Sequence, residues 1–352
     1  MAKTISGIQQ VGVGVSNVYE AWEWYRKNFG LDIKMFDEAA EAKLMLPYTN
    51  NEPQSRHAIL AMNMKGGGGF EIWQYISRTP GAAAFEIQLG DLGIFMTKVK
   101  VDHISDAFNQ LKENQVDILS EIRKSPNGVA HFYIKDPYGN IFEIEESKDW
   151  NLKLNKTFGG NSGAVIGVSN MDKSIAFYSS ILDYDTVVYD ETAVFDDFKE
   201  IPGGGEAYRR VLLKHKQAKK GAFSKLLGPT SIELISKVTG ESRKIFDNRL
   251  WGELGYIHLC FDITGMDELK AECEAAGHPF TVDSANSFDM GEAAGHFSYI
   301  EDPDGTLIEF VETHKIPIVK KISWYLDLRK RDRLKALPNW FYKVIQLTRT
   351  KG

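Results

Sequence analysis

Apolar and polar residues alternate with a period of two through residues 5–18, sending Val11, Val13 and Val15 to one face and Gln10, Gly12 and Gly14 to the other. That period predicts a half-buried strand. From Ser16 the spacing changes: Trp22, Tyr25 and Phe29 recur as on one side of a helix, behind cap-capable Ser16 and Asn17, and Gly30 ends the run. Strand-like runs at Arg56–Met64 and Phe70–Tyr75, after the glycines of 66–69, complete a βαβββ module. The pattern restarts at Gly93–Val101, passes through a helix at His103–Glu113 and closes in a hairpin. It restarts again at residues 162–171, with a helix from Asp172 to Leu182 and a strand at Ser231–Ile235 that repeats the one around Glu71. A fourth round runs from Tyr256–Asp262 through a helix at Met266–Ala276 to a second hairpin.

The two hairpins are close copies. In each, aromatic and β-branched residues run into Asp-Pro-x-Gly, at Asp136–Gly139 and Asp302–Gly305, where Pro presets φ and Gly supplies a positive φ. The chain then returns with Glu143 or Glu309 on one face, so each returning strand aims a carboxylate into whatever lies there. Two such copies in a chain of 352 residues indicate duplication. The expected organisation is a first domain at 1–150, a linker at 151–160, a second domain at 161–313 and an extension at 314–352.

Composition narrows the class. Hydrophobic content of 43% and a net charge of −6 describe an ordinary soluble protein. No apolar run reaches the roughly 18–20 residues of a membrane span, and the opening residues lack the apolar core of a signal peptide, so cytoplasm is the expected compartment. Cys260 and Cys273 cannot make a disulfide framework or a thiolate zinc site and read as reduced core thiols. Residues 314–352 carry eleven Lys or Arg against two Asp, a local +9 that leaves the preceding chain at −15. Trp324, Tyr325, Leu328, Leu334, Leu337, Trp340, Phe341, Val344 and Leu347 are interleaved with those charges. The expectation is a basic amphipathic helical extension docked on the domains or on a second subunit, with anionic membrane or nucleic acid as other partners of such a segment.

Four βαβββ modules, the helix opening Asp172-Lys173-Ser174-Ile175 and continuing to Tyr178, and the two hairpins with their Glu resemble the vicinal oxygen chelate superfamily. That superfamily includes glyoxalase I, methylmalonyl-CoA epimerase, fosfomycin and bleomycin resistance proteins and extradiol dioxygenases. The resemblance covers roughly residues 5–313. It implies an α+β fold in which modules pair into curved-sheet cups, each cup able to hold one divalent metal with ligands from the first and last strands of its modules. Carried over in chain order, the second domain presents Gly163, which cannot ligate, with Glu233, His258 and Glu309. The first presents Gln10, Glu71, Met96 and Glu143. Because a thioether suits a hard divalent ion poorly, the second domain is the expected metal site (His258, Glu309 and Glu233), and Gln10, Glu71 and Glu143 form a secondary candidate. Iron, manganese, nickel and zinc all suit such ligands.

Alternation supports the choice independently: His258 lies opposite Ile257 and Leu259, Glu309 opposite Ile308 and Phe310, and Glu233 between Ile232 and Leu234. Carboxylates left unpaired in a concavity call for a cation. The blander alternatives are a satisfied core histidine, a metal-free Ile-Glu-Leu strand, and Lys98 and Lys100 neutralising Glu71 and Glu143. His131 and His296, with Tyr133 and Tyr299 beyond them, are candidates to line the two cavities, or else to close the hairpins. The resemblance implies Lewis-acid chemistry on a small oxygen-bearing substrate: a glyoxalase-like lyase or isomerase, with Glu233 or Glu309 as base and His296 and Tyr299 as further catalytic groups, or an extradiol-type ring-cleaving dioxygenase. A non-catalytic small-molecule binding or resistance protein is the reading of another class, with Trp73, Tyr75, Trp251 and Tyr256 as stacking surfaces.

Overall fold

In a computed structural model of the chain, residues 2–285, 288–290, 293–319 and 324–350 are described. The first module comprises β1 (Thr4–Gly14), α1 (Val18–Phe29), β2 (Ile33–Glu41), β3 (Ser55–Met62) and β4 (Gly69–Tyr75). The second has β5 (Gly93–Val101), α2 (Ile104–Glu113), β6 (Asp117–Ile118), β7 (Arg123–Lys124), β8 (Ala130–Lys135) and β9 (Ile141–Glu146). The third has β10 (Phe158–Gly167), α3 (Met171–Leu182), β11 (Thr186–Val194), β12 (Ala207–Lys214), α4 (Ser224–Leu227) and β13 (Ser231–Lys237). The fourth has β14 (Gly255–Thr264), α5 (Met266–Ala275), β15 (Val282–Asp283), β16 (Phe288–Met290), β17 (Ala293–Glu301) and β18 (Leu307–Thr313).

Local rules account for these elements. The Asn17 side chain accepts from the Tyr19 and Glu20 amides and caps α1, and Gly30 ends it at φ 65°. Gly139 and Gly305 take φ of 88° and 93° in the two hairpin turns. The Asp of each turn is buried and receives a tyrosine hydroxyl from a helix, Tyr25 to Asp136 at 2.6 Å and Tyr178 to Asp302 at 3.0 Å. Cys260 and Cys273 are both buried and unpaired.

The pairing of modules departs from chain order. One sheet runs β15-β17-β18-β14-β1-β4-β3-β2, with β16 on β17, and the other runs β11-β12-β13-β10-β5-β9-β8-β6, with β7 on β8. The first module is therefore joined to the fourth, through antiparallel β1 and β14, and the second to the third, through antiparallel β5 and β10. Each sheet takes half of each expected domain, so the boundary at 151–160 does not separate the two cups. The helix-covered faces of both sheets share one core, in which Tyr25, Phe29, Phe70, Phe142, Phe177 and Phe261 meet.

The extension is helical only in part. It begins as a hairpin of β19 (Lys315–Val319) and β20 (Trp324–Asp327) and ends in α6 (Asn339–Gln346). Leu337, Phe341 and Tyr342 pack with Ile33, Met62, Leu226 and Leu227. Leu60 pairs with Glu71 across β3 and β4, so Met62, two residues on, shares the concave face of the first sheet. The extension thus fills one end of the first cup.

Candidate metal centre

In the first cup two rows of side chains cross the sheet. Gly12 of β1 lies between Glu71 of β4 and His258 of β14, and Gln10 lies beside Cys260, which in turn pairs with Glu309 of β18. A Cβ on Gly12 would stand 2.4 Å from the His258 ring, so the absence of a side chain there makes room for the imidazole. A register shift between Gly12 and Val13 marks a bulge at Ile257. Ile257 consequently joins Trp73, Trp251 and Tyr299 rather than lying opposite His258, whereas Leu259 is in the helix-side core as alternation predicts.

The result is a cluster of Glu71, His258 and Glu309 whose ligand atoms lie within 4.8 Å of one another. His258 Nε2 stands 3.3 Å from Glu71 Oε2 and 3.1 Å from Glu309 Oε2. The Gln10 amide nitrogen is 3.4 and 3.5 Å from the same two oxygens, and its Oε1 is buried without a partner. The Tyr299 hydroxyl lies 3.5 Å from His258 Nδ1. Trp251 stacks over the imidazole at 6.4 Å, with Trp73 edge-on to Trp251 at 4.7 Å. His258 is fully buried, while the Glu71 and Glu309 side chains keep 12% and 9% exposure, so the carboxylates mark the open side. Burial works against an imidazolium, but the Glu309 and Glu71 carboxylates outweigh it and raise His258 to about 10. Burial, and then the same carboxylates, hold the Tyr299 phenol well above its ordinary value, so it stays protonated.

The donor chemistry fits a divalent cation. Two carboxylates and one imidazole nitrogen converge on one point, and Gln10, whose Oε1 lacks a partner, would offer that oxygen to a cation there by a turn of its amide.

Glu233, expected beside His258, lies in the other cup. Its carboxylate takes Lys98 Nζ at 2.6 Å, the Tyr189 hydroxyl at 2.6 Å and the Arg210 Nε. Lys98 also holds Glu143 at 2.7 Å, His131 bridges Glu143 at 2.8 Å and Asp197 at 3.3 Å, and Arg210 holds Asp197 at 2.7 Å. The strand registers show what has been exchanged. Gly163 occupies the place of Gln10, and Met96 that of His258. A Cβ on Gly163 would press the Lys98 chain at 3.2 Å. The lysine ammonium sits where the first cup would hold its cation, and Phe195, Phe198 and Ile201 pack the remaining space with Met96 and Tyr133. Lys100 does not reach Glu71; its ammonium donates to the Asp149 carbonyl at 2.8 Å.

His131 gives this cup a pH signature. Despite burial, the Glu143 and Asp197 carboxylates raise it from 6.5 to about 9. A raised folded-state value stabilises fully below pH 6.5 and loses that contribution as pH rises through 9. Thermal unfolding between pH 6 and 10 is expected to show falling stability over this window, with a flatter profile in His131→Gln; parallel profiles would contradict the assignment.

His296 is not in either cup. It lies on the helix-side face of β17 and contacts Asp283 at 2.6 Å, while Tyr299, three residues on, faces the centre opposite Glu309. Of the expected site residues, the structure brings together Gln10, Glu71, His258, Glu309 and Tyr299, and separates Glu233, Glu143 and His296 from them. Gly12 and Trp251 complete the centre. Gly12 is visible in the sequence only as a side-chain gap on the polar face of the opening strand, and Trp251, expected as a stacking surface and not tied to either cup, lies in a loop without periodicity.

Comparisons with known proteins agree with this architecture. A family model described as the Glyoxalase/Bleomycin resistance protein/Dioxygenase superfamily matches residues 7–144 and 162–310. The chain belongs to that superfamily. No curated protein matches it. Among solved structures, a Bacillus subtilis protein provisionally assigned as a dioxygenase matches with a TM-score of 0.58 at 15% identity, covering 88% of this chain and 86% of that one. Glyoxalase I from Zea mays matches at 0.51 and 13% identity, covering 88% and 92%, and a variant of it at 0.54 and 13% with the same coverage. At these identities the likeness is one of fold. Among the described residues, no helix of the superfamily member is long and apolar enough to cross a membrane.

Proposed function

We propose that this chain is a metal-dependent enzyme of the vicinal oxygen chelate type, acting in its first cup as a lyase or isomerase on a small oxygen-bearing substrate. The observation that carries the reading is the convergence of Glu71, His258 and Glu309 within 4.8 Å, beside the unpartnered Gln10 oxygen. Held by these four residues, a divalent cation would supply Lewis-acid stabilisation of negative charge on two neighbouring substrate oxygens. Iron, manganese, nickel and zinc remain the candidates.

The chain's own groups divide the remaining work. Tyr299 faces His258 Nδ1 and fixes the ring so that Nε2 points between the carboxylates. Glu71, slightly the more exposed of the two carboxylates, would take a proton from a carbon next to a substrate carbonyl on leaving the cation. Trp73 and Trp251 wall the site with apolar surface. The ring-cleaving reading calls for two imidazoles, and Gln10 stands in the first-strand position, which favours proton transfer over oxygen chemistry.

The test is metal-dependent exchange of the carbon-bound proton of an α-hydroxycarbonyl probe for deuterium. Exchange that falls at least about 100-fold in Glu71→Gln, at a metal concentration that keeps the variant loaded, supports the proposal. Oxygen uptake and ring opening with a catechol, without exchange, would replace it with the dioxygenase, and metal-loaded protein inert in both assays would leave a binding protein.

With the Glu309 and Glu71 carboxylates raising His258 to about 10 against its burial, cation binding is expected to release a proton from the imidazole. Affinity is therefore expected to rise about tenfold per pH unit between pH 6 and 9. Titration calorimetry in buffers of different ionisation enthalpy reads the proton directly; identical heats would contradict the ligand assignment.

A further inference from the structure

The extension closes one end of the first cup with Leu337, Phe341 and Tyr342, and its outer side combines exposed apolar residues with basic ones. Trp340 and Leu347, seven residues apart at either end of α6, are 52% and 78% exposed, with exposed Lys343 between them. Leu334 is 50% exposed beside Arg333 and Lys335.

A second segment, distant in sequence, meets this one. Residues 214–225 contain Lys214, Lys216, Lys219, Lys220 and Lys225 and no acid. Backbone contacts join the two: the Leu337 amide donates to the Ala222 carbonyl at 2.8 Å and the Gly221 amide to the Leu334 carbonyl at 3.4 Å. Lys225 reaches Asn339 at 3.4 Å. Together, residues 214–225 and 328–350 carry twelve Lys or Arg against the single Asp332, leaving the rest of the chain at −17. Few of these charges are neutralised locally: Lys219 pairs with Asp183, Arg329 with Asp327, Arg333 with Glu268 and Lys335 with Asp332.

We infer that this face docks on the surface of an anionic lipid bilayer, with the lysines and arginines against the headgroups and Trp340, Leu347 and Leu334 entering the interface. Charge alone would suit any polyanion. The exposed Leu334 and Leu347 select the bilayer, because an aliphatic side chain gains by leaving water at the acyl boundary and has nothing comparable to gain on a polynucleotide. The Trp340 indole would suit an acyl boundary or a stacked base alike. No spanning segment is needed for such peripheral attachment.

Sedimentation of the full-length protein with phosphatidylcholine vesicles, with and without phosphatidylglycerol, tests the inference. Partitioning onto the anionic vesicles is expected to exceed that onto neutral ones at least about tenfold, to weaken with salt, and to fall at least about tenfold in Trp340→Ser/Leu347→Ser. Both substitutions lie on the surface, so an unchanged melting temperature and metal content confirm that the variant is folded. Three outcomes would overturn the proposal: no anionic preference, vesicle binding indifferent to the double substitution, or tighter binding to single- or double-stranded nucleic acid than to vesicles. A shift to a dimer that the same substitutions abolish, without vesicle binding, would instead assign the face to a second copy.

Discussion

Replacing Glu71 with Ala is expected to strip the metal from the protein, whereas replacing Glu233 with Gln is expected to leave metal content unchanged. The two residues hold equivalent places in their modules, each paired across to the middle of a first strand, Gly12 for Glu71 and Val165 for Glu233. Their surroundings differ. Glu71 lies 3.3 Å from His258 Nε2, while Glu233 is neutralised by Lys98 and Arg210. Removing one carboxylate from a four-ligand set costs more than the 10- to 100-fold typical of outer-shell changes, so affinity is expected to fall by more than about 100-fold. Elemental mass spectrometry on both variants, beside His258→Ala as a metal-free reference, reads the result. Metal retained in Glu71→Ala and lost in Glu233→Gln would mean that modules pair in chain order.

The second large effect is on stability. Lys98→Met is expected to destabilise the protein by about 3–5 kcal/mol, because it removes one partner of a buried ion cluster and leaves charge uncompensated. The Lys98 ammonium is 3% exposed and serves two carboxylates, Glu143 and Glu233, which are 1% and 0% exposed. Burial opposes its charge, yet the two carboxylates hold its value above that of an ordinary lysine. Urea unfolding measures the loss, and metal content of the first cup provides the control. An unchanged unfolding midpoint would show that Glu143 and Glu233 are satisfied without the lysine.

Much of this arrangement is legible in the sequence because a strand has a period of two. The faces of Gln10, Glu71, His258 and Glu309 follow from alternation, and the Asp-Pro-x-Gly turns place Glu143 and Glu309 at matching points of the returning strands. Where alternation is interrupted, the reading fails. The bulge at Ile257 moves that side chain to the same region as His258. His296 fails for a related reason: Tyr133 follows His131 by two residues and shares its face, but Tyr299 follows His296 by three and does not. The His-Phe of the two hairpins look alike while pointing in opposite senses.

The larger departure is the choice of partner modules. Nothing local in a βαβββ unit says which other unit its first strand will lie against, since β1 and β10 offer similar edges to β14 and β5. The sequence lists the right residues in two sets, and the structure takes Gln10 and Glu71 from one and His258 and Glu309 from the other. The sets left behind combine Gly163 and Met96 with two glutamates, and the chain supplies Lys98 in place of a metal. One cup thus keeps a set of candidate ligands, and the other is a buried salt-bridge cluster plugged by Phe195 and Phe198. The extension is similarly mixed: its apolar residues signal docking, but a hairpin followed by a short helix cannot be told from a longer helix by composition.

The most direct test is an anomalous difference map from crystals of the protein grown with manganese(II). A single peak within about 2.0–2.3 Å of Glu71, His258 Nε2 and Glu309, with Gln10 turned so that Oε1 faces it, is the predicted result. A peak beside Glu143 and Glu233, or none between Glu71 and Glu309 at saturating metal, would contradict the account.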